Sequence, residues 1–231
     1  MEKNSLGVIG GMGPKATSVF FDKVIDYTDA DKDQDHINMV ILNHATLPDR
    51  TKVILNGEET QFLDEIKSDI NLLESAGVAN IAIPCNTSHY FYDQMQTLTT
   101  IPIINMVDET VRYIAETFGI NSKVGILATN GTIRTRIYER ACNNHQLNLH
   151  VPDDQLQNQI MGIIYNDIKS GTGVNITVIE EIINHLISKE ACDCVILACT
   201  EFSVVSLSEQ VNKYCVDAMN ILVQESIRRS V

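Results

Sequence analysis

The sequence predicts an α/β fold of parallel sheet covered on both faces by helices, laid out twice in one chain. Three observations carry this. Apolar runs are short, continuous and non-alternating, the pattern of strands buried on both faces. Helical stretches lie between those runs. A set of landmarks in the first half returns in the same order in the second.

Leu6 to Gly10 is an apolar run that closes on glycines. Pro14 then opens a helical pattern through Tyr27, since proline suits the first turn of a helix. Ile37 to Leu42 is a second apolar run, followed by a loop containing Pro48. From Glu58 to Ser75, Phe62, Ile66, Ile70 and Leu73 recur at helical spacing and predict an amphipathic helix. Ala79 to Pro84 reads as a third buried strand, with Cys85 directly after it. In the second half, Val124 to Ala128 reads as a strand and Ile133 to Ala141 as a helix. Gln155 to Lys169 and Val174 to Lys189 read as two helices separated by Gly171 and Gly173. Cys194 to Ala198 is a strand, with Cys199 directly after it.

A chain of 231 residues suits one large domain or two small ones and buries a core without staples. Seventeen Lys and Arg against thirty Asp and Glu give a net charge of −13. That is the reverse of a nucleic-acid binder, and no basic run breaks it. An anionic small substrate would need a local cationic pocket. No stretch has the length of apolar sequence that a membrane span requires. Met1-Glu2-Lys3-Asn4-Ser5 runs straight into the first apolar run, without the pattern of a secretory leader. The expectation is a cytoplasmic protein with six reduced cysteines: Cys85, Cys142, Cys192, Cys194, Cys199 and Cys215.

The internal repeat separates these thiols. Gly7-Val8-Ile9 and its glycines match Gly125-Ile126-Leu127 followed by Ala128-Thr129-Asn130-Gly131. Seventy-eight residues lead from Gly7 to Cys85, and 74 lead from Gly125 to Cys199. Val107-Asp108 and Val216-Asp217 follow, each before a helical stretch. Two similar lobes would each present one cysteine at the carboxyl end of a strand, where open α/β sheets bind ligands. A cleft between them would have a thiol on each wall.

Two facing thiols suit a carbon acid. One thiolate removes a proton from one face, and the other thiol delivers a proton to the opposite face, which inverts the centre. Cysteine serves because its thiol, near pKa 8.5 when unperturbed, is lowered beside a cation or a helix N-terminus. Asn86-Thr87-Ser88 and Thr200-Glu201 are plausible first-turn residues, whose backbone N–H groups would favour a thiolate or a carboxylate. The structural alternative is that each cysteine is a small buried hydrophobe.

Four motifs, Gly7-Val-Ile-Gly-Gly-Met-Gly-Pro14, Leu47-Pro-Asp-Arg-Thr51, Ile83-Pro-Cys-Asn-Thr-Ser-His89 and Leu197-Ala-Cys-Thr-Glu201, together resemble the aspartate racemase branch of the aspartate/glutamate racemase superfamily. The likeness spans almost the whole chain. The Gly-Gly-Met-Gly-Pro start departs from the Asp-Ser-Gly motif of glutamate racemases. The resemblance implies a cofactor-independent amino-acid racemase of two pseudosymmetric α/β domains with the site in the cleft, and homodimers are common in the family. It implies Cys85 and Cys199 as the acid/base pair. It also implies that the last helix returns to the first lobe, giving 1–106 plus 217–231 and 107–216 as the two lobes.

Substrate residues follow from the same likeness. Arg50 and Lys169 match the cations that hold a side-chain carboxylate, and Asn86, Thr87 and Thr200 match positions that bind the α-carboxylate and amine. Met12 lies in the first loop, where family members contact ligand. Glu201 would orient the substrate amine or adjust Cys199. The implied substrate is a small acidic amino acid, aspartate before glutamate. An arginine clamps a carboxylate bidentately and a lysine adds a point charge.

Other readings stand beside these. Arg50 could be a surface loop charge, and Lys169 a cation that favours a helix C-terminus. Gly11-x-Gly13-x-x-Ala16 fits a relaxed dinucleotide fingerprint, but Asn43-His44 stand where an acidic residue is needed. Cys192 and Cys194 alternate towards one face and read as packing, and they lack the partners of a zinc site. Cys142 and Cys215 read as structural. His89, one helical turn past Cys85, would tune the thiol or pack. His44 would line the cleft or, the favoured reading, be solvated, and Asp108 and Asp217 read as N-caps. The nearest rival implied by the resemblance keeps the site and changes the chemistry, as a broad-specificity amino-acid racemase or a cysteine-dependent isomerase or decarboxylase. An amino-acid-binding protein that kept the pocket without turnover is the rival from another class.

Overall fold

The computed structural model describes residues 4–171 and 173–231. Its first sheet has β1 (Leu6–Gly10) at the centre, with β2 (Met39–Asn43) and β3 (Asn80–Ala82) parallel on either side. The second has the order β5 (Asn148–His150), β4 (Lys123–Ala128), β6 (Cys194–Ala198) and β7 (Cys215–Asp217), again all parallel. The two superpose in topology: β4 matches β1, β5 matches β2 and β6 matches β3. A single parallel bridge from Ile81 to Ile103 stands where the second sheet has β7.

In the first half, α1 (Pro14–Tyr27) has proline in its first turn and buries Ala16, Thr17, Phe20 and Val24. The predicted loop after Pro48 contains a helix, α2 (Arg50–Asn56). Asp49 caps it by accepting from the Lys52 N–H at 3.0 Å, and Gly57 ends it in the left-handed region. Next comes α3 (Glu59–Ser75), which buries the predicted stripe of Phe62, Ile66, Ile70 and Leu73. The strand predicted through Pro84 stops at Ala82, so Ile83-Pro84-Cys85 is a link beyond the sheet. A 3₁₀ turn (Thr87–Phe91), α4 (Tyr92–Thr97) and α5 (Met106–Phe118) complete this half.

In the second half, the helix predicted over 133–141 is two, α6 (Asn130–Arg134) and α7 (Ile137–Asn144), broken where Arg136 has φ +55°. The helix predicted over 155–169 begins as α8 (Asp154–Gly162) and continues as a π-helical segment, Ile163–Ile168. Then follow α9 (Ile176–Ser188), α10 (Glu209–Asn212) and α11 (Ala218–Ser230). No helix among the described residues is long and apolar enough to cross a membrane.

Strand alternation divides each sheet's side chains between two apolar layers. On β6, Cys194, Ile196 and Ala198 pack with Val124 and Ile126, whereas Val195, Leu197 and Cys199 pack with Ile179, Ile183 and Leu186. Cys192 joins the second group, so it lies on the opposite side from Cys194. The expected common face fails because Cys192 precedes the strand. In the first sheet, Ile9 and Ile81 meet α3, while Leu6, Val8 and Ala82 meet α1 and α11 through Phe20, Val24, Met219 and Leu222. Each fully buried side chain of this size contributes about 1.5–3 kcal/mol.

Asp217 caps α11 by accepting from the Met219 N–H at 2.9 Å. Asn105, not Asp108, caps α5, accepting from the Asp108 N–H at 3.2 Å, while Asp108 pairs with His145. The repeated Val-Asp landmark is therefore three residues out of structural register.

Candidate active site

The carboxyl ends of β1, β3, β4 and β6 converge on one small cavity. Met12, Arg50, Cys85, Asn86, Thr87, Lys169, Cys199, Thr200 and Glu201 all line it. Asp49, Thr51, Thr129 and Tyr165 complete the wall. The link after β3 delivers Cys85, Asn86 and Thr87, and the turn after β6 delivers Cys199, Thr200 and Glu201. The 3₁₀ turns that follow, Thr87–Phe91 and Phe202–Val204, are too short to act as the full helix dipoles the sequence suggested.

The Cys199 thiol donates to Oε2 of Glu201 at 2.8 Å. Burial, and then the Glu201 carboxylate, push this thiol well above its ordinary value, while Lys169 pulls the other way. The Lys169 ammonium lies 3.8 Å from Oε1 of Glu201 and 4.3 Å from the centre of the Tyr165 ring. Burial alone would lower this ammonium, but Glu201, Cys199, Tyr165 and Asp49 together outweigh it and raise it. The Tyr165 hydroxyl donates to Oδ2 of Asp49 at 3.2 Å, joining the π-helical segment to the cap of α2.

Arg50 is only 8% exposed. Its Nη1 donates to the carbonyls of Leu47 and Pro48, and its Nε has no partner among the described residues. Among the described residues no carboxylate pairs with it, so the surface-charge reading is set aside. Asn86 is 2% exposed; its Oδ1 accepts from the Tyr138 hydroxyl, and its Nδ2 has no partner among the described residues. Buried donors left unpaired are costly, and both belong to residues that line the cavity. The Thr87 hydroxyl is engaged with Thr129 at 3.0 Å and Thr132 at 2.9 Å. Met12 is pinned by Ser88, whose hydroxyl donates to its sulfur at 3.3 Å.

The first glycine-rich turn leaves little room for a phosphate. The Gly11 N–H already donates to Thr17 Oγ1 at 2.8 Å. Gly11 has φ +90°, and a Cβ there would lie 2.4 Å from the His44 carbonyl carbon. Its glycine serves a close approach of two loops, not a nucleotide.

A model of the Asp/Glu/hydantoin racemase family matches residues 9–226. The chain belongs to that family. It is an isomerase, on the aspartate racemase side of the family. It is 32% identical over 208 residues to a broad-specificity amino-acid racemase of Bacillus subtilis, covering 87% of this chain and 86% of that protein. The structure of Picrophilus torridus aspartate racemase superposes with a TM-score of 0.81 at 30% identity, covering 97% of this chain and 93% of the other. Glutamate racemase of Francisella tularensis, solved with D-glutamate, shares the fold at a TM-score of 0.65 and 17% identity, covering 97% and 80%.

Of the racemase's remaining thiols, Cys142, Cys192 and Cys194 lie in its core and Cys215 is half-buried against it. Burial pushes Cys142, Cys194 and Cys215 up to about 12 and raises Cys192. Protonated thiols in apolar surroundings are inert. His89 does not line the cavity. Its Nδ1–H donates to the Cys85 carbonyl at 2.9 Å and its Nε2 accepts the Met106 N–H at 3.1 Å, so it braces the backbone beneath Cys85. His44 is not solvated as expected; it lies 2.9 Å from Asp69 and 3.7 Å from Glu65. Asp49 and Thr51 belong to the Leu47–Thr51 motif and Thr129 to the repeated glycine-rich landmark, but the sequence gives none of them a role of its own, and Tyr165 has no distinctive neighbour.

Proposed function

We propose that this racemase interconverts L- and D-aspartate by passing the Cα proton between Cys85 and Cys199, without pyridoxal phosphate. The observation that carries the reading is one small cavity holding both strand-end thiols together with two unpartnered buried donors, Arg50 Nε and Asn86 Nδ2. The lobes forming the cleft are taken as 1–106 with 217–231 and 107–216. Packing of Met219 and Leu222 on α1 supports this division.

In one direction, a Cys85 thiolate takes the Cα hydrogen as a proton. The electron pair of the broken C–H bond moves into the α-carboxylate, giving a planar dianion. The Cys199 S–H bond then breaks, its proton goes to the opposite face of Cα, and its electron pair stays on sulfur. The product leaves Cys85 as thiol and Cys199 as thiolate, and the reverse direction exchanges their roles. Glu201 holds the Cys199 hydrogen in the resting state and Lys169 offsets the resulting negative charge. Asn86 donates to the α-carboxylate, where charge grows in the transition state. Arg50 clamps the side-chain carboxylate.

The test is proton NMR and chiral chromatography with L-aspartate in D₂O. The expected result is loss of the Cα proton signal together with accumulation of the D form. Neither change would leave a binding protein as the better reading. Cys85→Ser and Cys199→Ser should each lower interconversion by about 10²–10⁴-fold, the usual contribution of one acid/base group. Full activity in both variants would end the two-thiol mechanism.

The likeness to the Bacillus subtilis broad-specificity racemase supports a second reading, a wider range of amino acids. A panel of amino acids with acidic, neutral and basic side chains separates the two. Turnover confined to acidic members supports Arg50 and Lys169 as selectors. Comparable turnover of neutral members supports the broader activity.

A further inference from the structure

We infer that Tyr138 is a positioning residue that sets the orientation of the Asn86 carboxamide and so presents Nδ2 to the substrate. The inference rests on the proposed role of Asn86 as a donor to the α-carboxylate. Asn86 follows Cys85 at the end of the first sheet, whereas Tyr138 stands in the first turn of α7, beside the second. The Tyr138 hydroxyl crosses between them and donates to Asn86 Oδ1. Tyr138 is 1% exposed, so no water competes for that contact.

A primary amide has an acceptor end and a donor end, and turning it over exchanges them. With Oδ1 held by Tyr138, the donor end is the one left free. Asn86 Nδ2 is buried and has no partner among the described residues, although the residue lines the cavity. Without the tyrosine hydroxyl, the amide loses the contact that distinguishes its two orientations. In the wrong one, a carbonyl oxygen would face the substrate carboxylate. Burial pushes the Tyr138 hydroxyl well above its ordinary range, so it remains a donor throughout the range in which the enzyme is assayed. A second consequence follows from the topology. A first-lobe substrate contact is aimed by a second-lobe side chain, so the clamp is correctly built only when the lobes meet.

A double-mutant cycle on the full-length protein tests this, with kcat/KM for aspartate racemisation as readout and thermal melting as the control for folding. Tyr138→Phe keeps the ring and removes only the hydroxyl, and should lower kcat/KM by about tenfold, the scale of one hydrogen bond to a charged group. Asn86→Ala should lower it by at least as much. In the Asn86→Ala background, Tyr138→Phe should cost less than twofold, because nothing remains to orient. Additive losses would mark Tyr138 as merely structural and overturn the inference. Undiminished activity of Tyr138→Phe would overturn it directly. If Asn86→Ala is harmless while racemisation proceeds, this inference falls and the two-thiol reaction survives. If the unaltered protein exchanges no Cα proton, the proposed function itself has failed. A second measurement needs no variant. The Asn86 side-chain amide signals in ¹⁵N-resolved NMR should shift on adding D-aspartate, and invariance under saturating ligand would overturn the assignment.

Discussion

The Cys199 thiol and the Glu201 carboxylate are joined by a 2.8 Å hydrogen bond, although only one residue separates them in the chain. A thiol pointed at a carboxylate keeps its proton, and this one is buried as well. In the proposed reaction this arrangement would suit Cys199 to act as the acid partner.

Glu201→Gln therefore has two opposed effects. Removing the negative charge should bring the thiol down and speed alkylation of Cys199 by iodoacetamide at pH 8, because the thiolate is the nucleophile. Racemisation should nevertheless fall by about 10²-fold, the lower range for losing an acid/base partner. Peptide mass spectrometry of the alkylated protein and a chiral assay read the two effects separately. Alkylation no faster than in the unaltered protein would remove Glu201 from control of this sulfur.

Arg50 should decide selectivity more than rate. Its guanidinium is buried, and among the described residues no carboxylate pairs with it, which in the proposed reaction would leave its attraction for a substrate carboxylate. Arg50→Met keeps the apolar stem and should reduce kcat/KM for aspartate by about 10–10²-fold, corresponding to 1.5–3 kcal/mol for a charged hydrogen bond. Turnover of any neutral amino acid should change less than threefold. An equal loss on both substrate types would assign Arg50 to folding rather than to the side-chain carboxylate.

Much of the fold was readable because its signals are local. β1 and α1 lie where the apolar run and Pro14 place them, and α3 where its stripe of Phe62, Ile66, Ile70 and Leu73 places it. α2 escaped because seven residues hold too few turns to show a period, and β5 and β7 because they are three residues each. The residues beside the two cysteines could be read because they adjoin them. Arg50 and Lys169 were named through family likeness, not through their spacing. Tyr165 and Tyr138 were invisible: their partners Asp49 and Asn86 lie 116 and 52 residues away, and nothing local marks such a pairing.

Gly131 reports on how closely the lobes fit. A Cβ at this position would lie 2.9 Å from Thr51 Oγ1, 3.0 Å from the Thr51 Cα and 3.0 Å from Thr87 Cγ2. One of these is backbone, so a methyl group cannot be relieved by a rotamer change alone. Gly131→Ala should cost about 1–3 kcal/mol as overpacking. It should also lower kcat, because Thr51 and Thr87 line the cavity. Urea unfolding and the racemisation assay measure the two consequences. An alanine variant as active and as stable as the parent would mean that the lobes stand further apart than this contact requires.

His89 makes the stability of the protein depend on pH in a direction that can be worked out. Its ring is neutral in the fold: Nδ1–H serves the Cys85 carbonyl while Nε2 receives the Met106 N–H. A proton on Nε2 would set two donors against each other. Burial lowers its affinity for protons, and the carbonyls of Cys85 and Ile104 only partly offset this. The unfolded chain takes up this proton near pH 6.5, where the native protein still refuses it. Above that pH both states are neutral and the contribution of His89 is complete. Below it, stability is lost at up to about 1.4 kcal/mol per pH unit until the lowered native value is passed. His89→Gln cannot bind the proton in either state. Plotted against pH from 8 to 5, the unfolding free energy of the parent minus that of the variant should be level and then fall below about 6.5. Parallel curves across the whole range would mean that His89 accepts its proton as readily in the fold as in the unfolded chain, and its bracing of the Cys85 backbone would then have to tolerate a charged ring.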